Sequence, residues 1–155
     1  MPASNDSPLD RDGLEIIELN VISSTQISSR VTAILSHLKN SAQANSKQPL
    51  IRLTAKATVA NKLITIVEIA KRQLASEQIN VFQYNAMGSE IVTVKPPNTK
   101  KSSKSEAESE DVDEDKDAFQ TMAEPDKVRN SPVLSIYLSR ESVNTLKQRF
   151  GEQVD

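Results

Sequence analysis

Between residues 16 and 22 apolar and polar positions alternate, with Ile17, Leu19 and Val21 on one face and Glu18 and Asn20 on the other. A period of two predicts a half-buried strand. The period then changes. Ile27, Val31, Ile34, Leu35 and Leu38 recur at helical spacing, one stripe of an amphipathic helix, with Ser24 and Thr25 placed to cap its start. After a polar stretch at 40–48, residues 50–55 read as a second strand. Val59, Leu63, Ile66, Val67, Ala70 and Leu74 then form a second helical stripe. Residues 79–84 predict a third strand, and Ala86-Met87-Gly88-Ser89 reads as a break or tight turn before another extended stretch at 91–94. Alternation resumes at 133–138, with Leu134, Ile136 and Leu138 on one face. A short helix over 142–150 closes the pattern, with Ser139 as cap and Gly151 as stop. This order predicts an α/β two-layer sandwich, β-α-β-α-β-β, with helices on one face of a four-stranded sheet and a short C-terminal helix after it.

The gap in that pattern is informative. Residues 98–131 are almost devoid of branched aliphatics and cannot bury enough apolar area to offset the entropy of ordering them. They read as an acidic, low-complexity, disordered insertion, and residues 1–13, rich in Pro, Ser and Asp, as a disordered tail. The folded domain is therefore expected over 14–97 and 132–150. Composition agrees: hydrophobic residues make up 37% of the 155, below the ~45–50% of globular domains. The formal net charge of −2 conceals a segregation. Residues 14–97 hold nine bases against five acids, whereas 98–131 hold ten acids against six bases, eight of the acids within 106–117. A basic fold with an acidic insertion calls for a patch reading rather than a whole-chain pI. Ser105 and Ser109, in the acidic run, fit an acid-directed kinase.

Other chemistries find little support. With no cysteine there is no disulfide, thiolate nucleophile or sulfur-ligated metal, and an intracellular setting is expected. His37 is the one histidine and cannot build a multi-histidine zinc site. Gly13, Gly88 and Gly151 are too scattered for a phosphate loop. Glu68 and Arg72, four apart on one helix, read as a structural pair. Neither an enzyme nor a cofactor is expected. No apolar run approaches the ~18 residues of a membrane span, and the first twenty residues lack the pattern of a secretory signal.

Residues 50–74, LIRLTAKATVANKLITIVEIAKRQL, resemble the signature region of the Alba superfamily of nucleic-acid-binding proteins. The resemblance lies in Lys56-Ala57 ending a strand, Val59-Ala60-Asn61-Lys62-Leu63-Ile64 opening a helix, and Val67-Glu68-Ile69-Ala70-Lys71-Arg72 continuing it. The closing strand SPVLSIYLSR is similar to that of the eukaryotic branch found as subunits of ribonucleases P and MRP. Two positions depart from the family pattern. The first strand–helix loop, 23–29, has no lysine pair, and Lys56-Ala57-Thr58 stands where Arg-Gly and a second basic residue are usual. These departures weaken duplex-DNA coating more than shape-directed RNA binding. The resemblance implies a non-catalytic RNA-binding protein, with general DNA/RNA binding or a bridging protein-interaction role as alternatives. It implies contacts through Lys56, Thr58, Asn61, Lys62, Arg30 and Lys95. It also implies a dimer, with itself or a second Alba-type chain, inside a nuclear ribonucleoprotein that processes tRNA or rRNA. Phe82 and Tyr84 share a strand face, and the expectation for them is core or dimer interface. The acidic half of the insertion is expected to compete for the basic junction, since tethering gives it an effective concentration of about millimolar.

Overall fold

In the computed structural model, residues 13–40, 47–94 and 126–155 are described. The N-terminal tail, the stretch 41–46, Lys95, Ser105, Ser109 and the acidic run lie outside them.

Strand β1 (Leu14–Val21) leads into helix α1 (Ile27–Asn40). Strand β2 (Gln48–Lys56) then passes through a 3-10 turn, Ala57–Val59, into α2 (Ala60–Ser76). Strands β3 (Phe82–Val94) and β4 (Lys127–Ser139), helix α3 (Asn144–Phe150) and a two-residue β5 (Gln153–Val154) complete the chain. The sheet order is β1-β2-β4-β3-β5. β1 and β2 run parallel in the register Leu14↔Gln48 to Val21↔Ala55. β4 runs antiparallel to β2, from Leu50↔Ser139 to Lys56↔Val133.

Pleating divides the side chains between two clusters. Val21, Ile51, Leu53, Ala55, Ile136 and Leu138 meet the helices, whose buried stripes are Val31, Ile34 and Leu38 on α1 and Leu63, Ile66, Val67, Ala70 and Leu74 on α2. Each fully buried aliphatic contributes about 1.5–3 kcal/mol, so this two-layer core supplies most of the driving force. The alternate residues, Leu14, Leu50, Tyr84 and Tyr137, pack on the opposite face with Val143, just before α3, and with Leu146 inside it. There Tyr137 stacks on Phe150, ring centroids 6.0 Å apart.

The α/β architecture is the one the apolar pattern predicts, with α3 and β5 as additions whose placement it does not reveal. Several local features differ. β3 is continuous through 86–89, because Gly88 keeps an extended backbone, and positive φ among the glycines is confined to Gly13 and Gly151. Ile79 precedes the strand, in the turn that follows α2, where its amide bonds to the Leu74 carbonyl. β4 begins at Lys127, so the last residues assigned to the insertion are strand. Thr25 does not cap α1; its hydroxyl accepts from the Ile22 amide (2.9 Å), and its own amide donates to the Ile22 carbonyl (3.1 Å), closing a tight turn. Ser139 likewise bonds Glu141 rather than capping α3.

The described residues fall into two units, one of 13–40, 47–90 and 131–155, the other of 91–94 and 126–130. In the second, Ile91, Val128, Lys127 and Arg129 are exposed. Among the described residues no helix is long and apolar enough to cross a membrane.

Candidate nucleic-acid interface

Parallel pairing of β1 and β2 puts their C-terminal ends side by side, Val21 opposite Ala55. Both strands then turn into helices on the same face, so the starts of α1 and α2 emerge at one end of the sheet. A helix start carries unpaired amides and partial positive charge. Neither helix has an acid in its first turn. That end is thus electropositive before any lysine is counted.

Lys62 joins the two junctions. Its ammonium donates to the carbonyls of Ser23 (2.5 Å) and Thr25 (3.2 Å), drawing the β1–α1 loop against the first turn of α2. Lys62 is half-buried in consequence. Around it Lys56, Thr58 and Asn61 are exposed, and Arg30, in the first turn of α1, is half-buried with no ion pair among the described residues. Lys56 lies 3.9 Å from Glu90, both side chains more than half exposed, a pairing too solvated to neutralise it. The two junctions predicted from sequence therefore do come together, but Lys62 holds the loop rather than projecting freely.

Phe82 and Tyr84 lie elsewhere. Tyr84 is fully buried and Phe82 half-buried in the second cluster. Covered by α3, Tyr84 has no surface to offer a partner, which resolves the expectation for it in favour of core. The Tyr84 hydroxyl donates to Glu152 (2.7 Å) and accepts from the Val143 amide (2.8 Å). Burial pushes its pKa up. Ser142 and Tyr84, both donating to Glu152, hold that carboxyl below its ordinary range, with Lys147 assisting from 3.2 Å. On α2, Glu68 pairs with Lys71 (3.0 Å) rather than with Arg72, and Asp155 reaches the same ammonium. Burial alone would lower the Lys71 pKa, but these two carboxylates outweigh it and raise it.

A feature missed in the sequence lies beside α2. Ile64 and Met87 are 47% and 73% exposed. They border a cleft of about 340 Å³ that also includes Gln83, Asn85, Glu68 and Leu134. The Gln83 side-chain carbonyl is buried there without a hydrogen-bond partner among the described residues. β5 covers the β3 edge only at Phe82 and Gln83. Among the described residues no group of His, Asp or Glu could hold a metal ion.

Residues 17–89 match the model of the Alba family; the match spans β1 to Ser89 in β3 and includes both junctions. Alba from Thermoplasma volcanium is a similar solved structure, 14% identical, with 81% of this chain and 99% of that chain covered at a TM-score of 0.41. No curated protein matches the chain.

Proposed function

We propose that this chain is a non-catalytic RNA-binding protein whose contact surface is the paired strand–helix junction. The Lys62 clamp is the observation that carries the reading: it fixes two acid-free helix starts side by side with Lys56, Thr58, Asn61 and Arg30 around them. Such an end suits phosphate and 2′-hydroxyl oxygens. Alba proteins generally bind nucleic acid without catalysing a reaction, which agrees with this surface. Three phosphate contacts give a log–log salt slope near −2 to −3, and each lost contact reduces the slope by about one. Filter binding across a salt series tests this. Lys56→Ala should weaken binding and flatten the slope, and a salt-independent affinity in the parent protein refutes the reading.

The finer proposal is a nuclear ribonucleoprotein of the ribonuclease P/MRP kind acting on tRNA or rRNA, in which a second Alba-type chain pairs with this one. The exposed Ile64 and Met87 and the unpartnered Gln83 carbonyl support the cleft beside α2 as the pairing surface. Ile64→Glu/Met87→Glu should abolish association in sedimentation, either of the chain with itself or with a co-purified partner. A bridging, RNA-independent role is the second reading. It is favoured by the commitment of Lys62 to the Ser23 and Thr25 carbonyls, which leaves fewer free cations at the junction.

A further inference from the structure

Between α1 and α2 runs a groove of about 720 Å³, within the ~300–1,000 Å³ span of clefts that take small molecules. Its floor is apolar, from Ile27, Val31 and Ile69, and its rim is neutral and polar, from Gln26, Ser28, Thr32 and Gln73. Short β-branched side chains on α1 leave the space between the helices unfilled. Lys62 stands at one end. Beyond the other, the Lys39–Glu77 pair (2.5 Å) ties the helices together. Among the described residues no carboxylate lines the groove, and the single charged one is cationic.

We propose that this groove receives an unpaired RNA base. The inference deepens the proposed function and rests on it. Lys62 and Thr25 belong both to the groove and to the clamped junction, so the pocket opens directly onto the phosphate-binding surface. An ammonium has three donors, and two are spent on the Ser23 and Thr25 carbonyls. The third is left for a phosphate at the mouth, beside the start of α1. A base attached to that phosphate lies along Ile27, Val31 and Ile69 as a flat, largely apolar body. At the rim the side chains of Gln26 and Gln73, which make no hydrogen bond among the described residues, each present a donor and an acceptor. Paired bases keep their Watson–Crick edges occupied, whereas a base splayed from a loop or bulge offers them to such amides. A protein helix is a poorer fit, because the groove offers a rim of amides and hydroxyls where a helical ligand needs an apolar track.

The test compares a stem-loop RNA, with 2-aminopurine in the loop, against a blunt duplex of the same stem. The parent protein should prefer the stem-loop and shift the probe's fluorescence. Gln26→Ala/Gln73→Ala should weaken stem-loop binding by about 2- to 12-fold per hydrogen bond lost and leave duplex binding unchanged. Gln73→Glu preserves side-chain length and should act the same way, since a carboxylate has no N–H to donate to a base edge, which guards against misfolding of the double variant. Lys56→Ala should weaken both RNAs alike. Equal affinity of the parent for both RNAs, the result expected were the groove a protein-docking site, overturns the groove assignment alone. So does a stem-loop preference that survives Gln26→Ala/Gln73→Ala and Gln73→Glu. Absence of binding to either RNA overturns the proposed function with it.

Discussion

Replacing Tyr84 by Phe removes one oxygen and keeps the ring. The deleted hydroxyl accepts from the buried Val143 amide at 2.8 Å, one residue before α3, and donates to Glu152 just after that helix. Glu152 retains Ser142 and Lys147, so the orphaned Val143 amide dominates the loss. A buried donor without an acceptor costs about 1–3 kcal/mol. At about 4–8 °C per kcal/mol for roughly a hundred ordered residues, a central value of about 2 kcal/mol lowers Tm by about 8–16 °C. The variant should also lose part of its alkaline instability. Burial raises the Tyr84 pKa above its unfolded value, so its stabilising contribution is complete below about pH 10 and is lost as pH rises through the folded value. Lys71, raised by Asp155 and Glu68 against the effect of burial, adds to that limb in the same sense. Thermal melts by circular dichroism from pH 7 to 11 measure both effects. RNA affinity should not change, because the junctions lie at the opposite end of the sheet. A Phe variant that melts within about 2 °C of the parent at pH 7 would show that α3 is not held through this hydroxyl.

Lys62→Met should release the β1–α1 loop and cost about 1 kcal/mol, since water can satisfy the freed carbonyls. In hydrogen exchange the Thr25 amide should lose protection, while the core amides of β2 stay slow. At acid pH, Glu152 has a folded pKa below its unfolded one, so its contribution is present above about pH 4.3 and disappears as pH falls through the folded value. Glu152→Gln should flatten that limb in a Tm–pH profile. Leu63→Ala, at a fully buried position on α2, should cost about 2–5 kcal/mol in urea denaturation. Deleting 105–117 removes eight acids and one base. It should tighten RNA binding several-fold at low salt and less at physiological salt, where the Debye length is about 8 Å.

The parts of this molecule legible in its sequence are those where one residue's neighbours are its own helix or strand. The stripes Val31–Ile34–Leu38 and Leu63–Ile66–Val67 announce α1 and α2 because burial repeats with the helical period. The junction at Lys56 was legible through spacing in a family pattern. The destination of Lys62 was not, since its acceptors are backbone carbonyls 37 and 39 residues away, and carbonyls leave no mark in composition. The cover over Tyr84 was hidden for a related reason. Alternation shows that it shares a face with Phe82, but not that α3 covers that face. The C-terminal ties through Glu152 and Asp155 occupy so few residues that no periodicity can reveal them.

Sheet order has a consequence for synthesis. β4 lies between β2 and β3, yet it is made after both, beginning at Lys127 when β3 has ended at Val94. At ribosomal rates of about 5–20 residues per second, several seconds pass in which β2 has β1 on one edge and nothing on the other, and β3 has no neighbour at all. During that interval Leu50, Ile51 and Leu53, all fully buried in the finished sheet, border an open strand edge of the kind that templates aggregation. The polar, charge-dense stretch 98–126 is what the ribosome adds in those seconds. The nascent chain is therefore most vulnerable while its most soluble segment is emerging.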